Sequence, residues 1–227
     1  MSFNRLWTIF SDNYELLLSG LWVTVQVSLI AFAISLVVGL ALCLATLSRT
    51  RFVRTPAILV VEFCRNTPIL VQLVWVHYAW PEILGLKFTA FVSSLVALTL
   101  QTSGYLAEEY RGGIESVEKG QVEAAKSLGM TQARLMARIV LPQAVMRSIA
   151  GILNQFVTCF KSTSIVSVIA VPDLMYQAGL IVSATFLTMP IYTLIAVVYF
   201  VVVLAISRAV QWATRKLPTV GYFRAAA

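Results

Sequence analysis

The sequence GQVEAAKSLGMTQARLMARIVLP, residues 120–142, is the one long polar insert in a chain that is otherwise apolar. Hydrophobic residues make up 59% of the chain and charged residues 12%, and the mean hydropathy is +0.85. About a quarter of the residues of an ordinary soluble domain are charged. The composition therefore predicts an all-α integral membrane protein, in which the insert lies outside the lipid.

Long uncharged runs mark the membrane spans, because about 20 apolar residues cross a bilayer as a helix. Five spans are predicted, at about 16–47, 56–80, 88–108, 143–161 and 184–207. They form a single domain, 1–227, with a cytoplasmic loop at 111–142. The apolar segment 162–171 is short, and it is a sixth crossing, a re-entrant segment or a turn.

The basic residues indicate the orientation. The net charge of +7 is concentrated between the apolar runs, with no aromatic-interleaved patch that would favour nucleic-acid binding. The clusters are Arg49, Arg51 and Arg54; Arg111, Lys119, Lys126, Arg134, Arg138 and Arg147; and Arg208, Arg215, Lys216 and Arg224. Placing all three in the cytoplasm requires an even number of crossings between them. This leaves no crossing at 162–171, and it predicts an external N-terminus and a cytoplasmic C-terminus.

The insert has the pattern of two helices joined by a sharp turn. Residues 121–128 are good helix formers, and Gly129 follows where a left-handed cap is favoured. Thr131 suits the N-cap of the next helix, which leads through Pro142 into the fourth span. The alternative is a solvated loop with some helical content.

The insert resembles the EAA signature of permease subunits of ABC importers. The resemblance rests on Glu123-Ala124-Ala125, on Gly129 after three further residues, and on the tail Ile139-Val140-Leu141-Pro142 after nine more. Three further blocks are similar to polar amino acid permeases of the histidine, glutamine and glutamate/aspartate group: Arg65 to Gln72, Tyr105 to Val117, and Lys161 to Val166. Membership of this group implies the MetI-like fold, with five or more helices in each subunit.

The resemblance also implies partners. The insert would dock on ABC ATPase subunits, with Glu123 meeting a basic residue, Ala124 and Ala125 allowing close approach, and Leu128 and Gly129 completing the contact. The chain has no GxxxxGK[ST] motif, so ATP and Mg are expected on the partner ATPase and the chain itself is not expected to be an enzyme. A second permease subunit, identical or homologous, and an extracytoplasmic solute-binding protein complete the expected assembly in the bacterial cytoplasmic (inner) membrane.

Two polar groups within the spans are candidates for the cargo path. Asn66 and Thr67 precede Pro68, which should open the helix of the second span and free backbone groups for a small zwitterion. Gln155, Thr158 and Ser162 share one face of the fourth span. A packing kink is the alternative for the first group, and helix-to-helix hydrogen bonding is the alternative for the second.

Ionisable residues at membrane depth are rare and commonly functional. Glu62, Arg65, Glu108 and Lys161 are candidates for an internal ion pair or a gate. Relatives that carry cationic amino acids have carboxylates where this chain has Gln155 and Ser162, so the neutral residues favour an acidic or amide-bearing amino acid as cargo. The single histidine and the scattered cysteines predict no metal site.

The sequence thus predicts the permease subunit of an ATP-driven amino acid importer. A secondary transporter or channel subunit without an ATPase is the alternative from another class, but it would leave the insert unexplained. A membrane-embedded enzyme is disfavoured, because the chain offers no nucleophile and base pair and no metal cluster.

Overall fold

The computed structural model describes residues 3–215, with side chains from 11 to 214, and almost all of this part is helical. Lys216 and Arg224, two bases of the third cluster, lie outside the described residues. The α-helices are α1 Phe3–Thr46, α2 Arg51–Asn66, α3 Ile69–Val74, α4 Trp80–Leu84, α5 Ala90–Glu115, α6 Lys119–Ser127, α7 Gln132–Leu135, α8 Leu141–Ser162, α9 Leu174–Thr185 and α10 Thr188–Arg215. A 3₁₀ helix, Thr163–Ile169, follows α8.

Helix α5 is the centre of the bundle and packs against α1, α2, α3 and α8. Small residues let these helices approach closely, since a Cβ built on Gly39 of α1 would lie 2.8 Å from the Leu106 Cβ of α5. Nearby, the Ser35 hydroxyl of α1 lies 3.3 Å from the backbone oxygen of Thr99 on α5. The α1–α5 contact is therefore held by close packing and by hydrogen bonding.

Four helical stretches are long and apolar enough to cross a membrane: Ser11–Thr46, Ala90–Glu115, Gln132–Ile169 and Thr188–Thr214. The pair Arg51–Asn66 and Ile69–Leu84 gives a fifth span if it is counted as one, although it is bent by 108°. The all-helical membrane fold predicted from the sequence is confirmed. Helix α5 ends at Glu115, beyond the predicted boundary of 108.

Two widened helical turns, Trp75–Ala79 and Met136–Val140, have the same cause. Each is followed within two residues by a proline, Pro81 or Pro142, whose nitrogen cannot donate to the carbonyl four residues back. The helix accommodates the missing bond with a π turn, in which the N–H of Trp80 or Leu141 bonds the carbonyl five residues back. Helix α7 consequently continues into α8, and the second helix of the insert and the fourth span form one rod.

The uncharged run 174–207 is divided between two helices, which moves the start of the last span from the predicted residue 184 to Thr188. Helix α9 ends at Thr185, and the residue that caps it, Phe186, has a left-handed φ of 56°. Pro190 lies in the first turn of α10, where the missing N–H is tolerated. Helix α9 begins at a junction with α1, where the Thr24 hydroxyl accepts the N–H of Leu174 at 3.2 Å.

The three cysteines are free thiols in the interior. Cys43 of α1 is 0% exposed, and Cys64 of α2 and Cys159 of α8 are each 1% exposed. Each behaves as a small apolar side chain at a helix contact. Cys64, for example, lies against Gly104 of α5.

Candidate functional site

The second span is interrupted at the predicted position. Helix α2 ends at Asn66, Thr67 is extended with φ −93° and ψ 130°, and α3 begins at Ile69. Extended backbone is the preferred conformation of a residue before proline. The opening at Asn66-Thr67-Pro68 is thus confirmed, and the 108° bend is much larger than a simple kink.

A chain of ion pairs begins at this break and continues along α5. Arg65 Nη1 lies 3.8 Å from Glu62 Oε1 and 3.5 Å from Glu108 Oε2. Arg111 then pairs with Glu108 at 2.6 Å and with Glu115 at 2.8 Å. The predicted pair of Glu62 and Arg65 is therefore part of a larger network that includes Glu108.

The network also contacts a cargo candidate and a cavity. Asn66 Nδ2 donates to Glu62 Oε2 at 2.6 Å, so the amide is already engaged. A cavity of about 330 Å³ lies beside the network, between the end of α1, α2 and α5, and Arg54 and Glu62 are among its lining residues. Five of its lining residues are charged, and they include Glu108, Arg111 and Glu115 of the network.

The polar stripe of α8 lies on a partly open face. Thr158 is exposed and its hydroxyl donates to the Asn154 carbonyl at 3.2 Å, while Gln155 and Ser162 are half-buried. Lys161 is exposed and forms no ion pair with any residue that the structure describes. Helices α2 and α8 both pack on α5, but within residues 11–214 no hydrogen bond or ion pair joins this stripe to Asn66 or Thr67.

The insert folds as the predicted helix, turn and helix. Helix α6 ends in a Schellman motif, in which the Met130 N–H bonds the Ala125 carbonyl at 3.1 Å and the Gly129 N–H bonds the Lys126 carbonyl at 2.9 Å. Gly129 has a φ of +72°, the left-handed conformation that the sequence predicted. The Thr131 side chain caps α7 by accepting the Arg134 N–H at 3.4 Å.

The insert presents part of its EAA segment to the outside. Glu123 and Ala124 are exposed, and Leu128 is 83% exposed. Ala125 points inward instead and is 3% exposed, in a small core with Val117, Leu135 and Val140. Its small side chain therefore lets α6 pack closely against the second helix of the insert.

Two residues at the break were not singled out from the sequence. The Gln72 side chain is 1% exposed, and its Nε2 lies 2.9 Å from the Cys64 carbonyl oxygen. The Tyr105 hydroxyl of α5 donates to the Arg65 carbonyl at 3.2 Å. The available signal was an amide four residues after a proline in an apolar segment, because such an amide can bond the carbonyl that the proline leaves free.

The chain is similar to membrane transport components. Residues 35–217 match the family model of the binding-protein-dependent transport system inner membrane component. The probable glutamine ABC transporter permease protein GlnM of Bacillus subtilis is 37% identical over 210 residues, which cover 92% of this chain and 97% of GlnM. The arginine transport system permease protein ArtQ of the same organism is 33% identical over 208 residues, covering 88% and 92%.

Solved structures give the same picture. A crystal structure of an amino acid ABC transporter with histidines matches with a TM-score of 0.88 and 35% identity, covering 92% of this chain and 97% of the other. The inward-facing MetNI methionine ABC transporter matches with a TM-score of 0.68 at 19% identity, which shows a shared fold. The chain belongs to the family of binding-protein-dependent transport system inner membrane components, and it is a multi-pass protein of the bacterial inner membrane.

Proposed function

We propose that this chain is the membrane-spanning subunit of an ATP-driven importer of a polar amino acid. The observation that carries the proposal is the insert, a helical hairpin with its own small core that exposes Glu123, Ala124 and Leu128. These exposed side chains are not needed for the hairpin's own core, and they suit contact with a protein partner. The relatives named as glutamine and arginine permeases support amino acids as the cargo class.

The partner of the insert would be an ABC ATPase, which binds ATP and Mg. Glu123 would meet a basic residue of that ATPase, and Leu128 would fill an apolar recess. Ala125 and Gly129 keep the hairpin closed from within, so that it can move as a unit when the ATPase closes. Because α7 continues through the widened turn into α8, such a movement would reach the fourth span directly.

A second permease subunit and an external solute-binding protein complete the proposed assembly. Helix α10 exposes large apolar side chains, among them Val197, Phe200, Val201 and Leu204, a surface that suits lipid or a second subunit. The N-terminus would be external and the C-terminus cytoplasmic, as the basic clusters indicate.

The cargo would pass Asn66 and Thr67 on the second span and Gln155, Thr158 and Ser162 on the fourth. Arg65 is paired with Glu62 and Glu108, so its positive charge is balanced within the chain. The remaining candidates are amides and hydroxyls, which both donate and accept hydrogen bonds and so match an amide-bearing amino acid. Glutamine is the first cargo to test.

The test is purification of the native complex in mild detergent, followed by identification of its chains and of any bound amino acid. We expect an ATPase to co-purify and glutamine to compete best for uptake in proteoliposomes. The Gln155→Leu substitution should weaken cargo affinity and leave the ATPase bound. A chain that transports without any ATPase would show a secondary transporter or channel and would overturn the proposal.

A further inference from the structure

We infer that Gln72 is the positioning residue of the broken span, and that its side chain supplies the hydrogen bond that Pro68 cannot donate. The inference rests on the proposed function, because it concerns how the backbone beside Asn66 and Thr67 is held for the cargo. It assigns Gln72 a role in the geometry of the path and no direct contact with cargo.

The backbone bonds around the break identify what is missing. In a continuous helix the nitrogen of residue 68 would donate to the Cys64 carbonyl, but proline has no N–H. The preceding bond is intact, since the Thr67 N–H donates to the Phe63 carbonyl at 3.1 Å. The Cys64 carbonyl is therefore the first acceptor that the break deprives of its backbone partner, and Cys64 is 1% exposed.

The Gln72 amide takes the place of the missing donor. Its Nε2 lies 2.9 Å from the Cys64 oxygen and 3.3 Å from the Thr67 oxygen. A primary amide carries two hydrogens on one nitrogen, so it can serve both acceptors. Gln72 itself belongs to α3, where its backbone N–H bonds the Pro68 carbonyl at 3.1 Å. The side chain thus ties α3 to the end of α2 and to the residue between them.

The other end of the same amide makes no hydrogen bond to any described residue, so the N–H groups are the part of the side chain that the fold uses. Gln72 Oε1 is buried and has no hydrogen-bond partner in the described part of the chain. An unpaired buried acceptor destabilises a fold, and an aliphatic side chain would avoid that cost. Keeping glutamine here makes sense if its N–H groups are needed at Cys64 and Thr67.

Tyr105 anchors the same break to α5. Its hydroxyl donates to the Arg65 carbonyl, which would otherwise accept from Ile69 in a continuous helix. Gly104, the neighbouring residue, lies so close to α2 that a Cβ built on it would be 2.7 Å from the Cys64 Cβ. Two side-chain donors, on α3 and α5, therefore replace two helix bonds and fix the bend that presents Asn66 and Thr67.

The experiment is a double-substitution cycle in the assembled transporter, reconstituted in proteoliposomes with its ATPase and binding protein. Gln72→Met keeps the length of the side chain and removes both donors. We expect it to raise the KM for amino acid uptake by about tenfold, because the buried Cys64 carbonyl and the part-buried Thr67 carbonyl lose their donor and Asn66 and Thr67 shift. Vmax per folded complex should change by less than about twofold, because Gln72 lies on α3 and the proposed ATPase contact is on α6 and the turn that follows it.

The Pro68→Ala substitution is the decisive partner in the cycle, because it restores an N–H that can reach the Cys64 carbonyl. In the Pro68→Ala background, Gln72→Met should change KM by less than about threefold. Equal fold-changes in both backgrounds, or an unchanged KM for Gln72→Met alone, would overturn the inference. If Gln72→Met alone does not fold, thermal unfolding of Pro68→Ala is compared with that of Pro68→Ala/Gln72→Met. Folding of the double variant supports the inference. Failure of the double variant to fold, as for Gln72→Met alone, overturns it.

Two further variants separate the possible causes. Gln143→Met makes the same chemical change at the start of α8, where the amide donates to Gln121 and to the Ile139 carbonyl, and it should leave KM unchanged. Tyr105→Phe removes the bond to Arg65 alone and should raise KM several-fold, by less than Gln72→Met. If the unsubstituted complex takes up no amino acid, the proposed function fails, and the cycle is then read from thermal unfolding, which tests Gln72 independently of the cargo.

Discussion

The break at Thr67-Pro68 and the turn at Gly129 both end one helix and begin another, but they are held in different ways. At Gly129 the freed carbonyls of α6 are bonded by the backbone itself, through the Met130 and Gly129 N–H groups. At Thr67-Pro68 the carbonyls of Cys64 and Arg65 depend on the side chains of Gln72 and Tyr105. The turn at Gly129 is held by local backbone hydrogen bonds, whereas the break at Thr67-Pro68 depends on side chains from α3 and α5.

The difference follows from the surroundings of the two turns. The turn at Gly129 is exposed, and a Cβ built on Gly129 would meet nothing within 4 Å, so water can bond whatever the backbone leaves free. At the other break Cys64 is buried between the helices, where an unpaired backbone group costs several kcal/mol. A break inside a span is therefore specified by long-range partners, whereas a turn outside it is specified by local sequence.

The largest effect is expected where the break packs on α5. Gly104→Val places side-chain atoms where the Cys64 Cβ and the Val61 carbonyl already lie. Overpacking of this kind lowers the free energy of unfolding by about 1–3 kcal/mol, so we expect Tm to fall by about 2–12 °C in detergent.

Gly112→Val is the matched control for this substitution. Gly112 lies two turns further along the same helix, where a built Cβ meets nothing within 4 Å. Its Tm should stay within about 2 °C of the unsubstituted chain, because a surface substitution costs little. An equal fall in Tm for the two variants would show that α5 tolerates valine at neither position. The contact with Cys64 would then not be the cause of the lower Tm.

A smaller effect on stability, with a large effect on transport, is expected at the turn. Gly129→Val forces a β-branched residue into a φ of +72°, at a cost of roughly 1–2 kcal/mol. Insertion should be normal, but the hairpin should no longer fit its ATPase. We expect ATP hydrolysis to continue while amino acid uptake falls by about tenfold, measured together in proteoliposomes.

Gly120→Val is the control for the turn, because Gly120 lies in α6 with open space around it and without a positive φ. It should retain the normal ratio of uptake to ATP hydrolysis. Normal uptake in Gly129→Val would contradict the proposed docking, since the strained position would then have no bearing on coupling.

The smallest effect is expected at the N-cap of α7. Thr131→Ala removes the side-chain oxygen that accepts the Arg134 N–H, in a segment where water can replace it. The free energy of unfolding should fall by about 1 kcal/mol, which lowers Tm by about 2–4 °C and leaves KM unchanged. A KM effect as large as that of Gln72→Met would remove the distinction between the exposed turn and the buried break.

The sequence predicted well those features that depend on local chemistry. The helix, turn and helix of the insert follow from Gly129 and Thr131, and the opening of the second span follows from Pro68. The extended backbone at Thr67 is the usual effect of a following proline.

The features that the sequence did not predict depend on contacts between distant residues. Nothing local shows that Tyr105 will meet the Arg65 carbonyl, or that Ala125 will point into the hairpin core. The division of the run 174–207 was also missed, because the left-handed residue at the boundary is Phe186 and no glycine marks it. Tertiary packing selects such a conformation against the local preference.

Burial of the three native thiols gives the chain a practical property. A maleimide in the aqueous phase has no access to Cys43, Cys64 or Cys159 in the folded protein, because each is at most 1% exposed. A single cysteine introduced at the exposed Leu128 should therefore be the selective labelling site, without removal of any native cysteine. Labelling from one side of the membrane or the other would report directly whether the hairpin faces the cytoplasm.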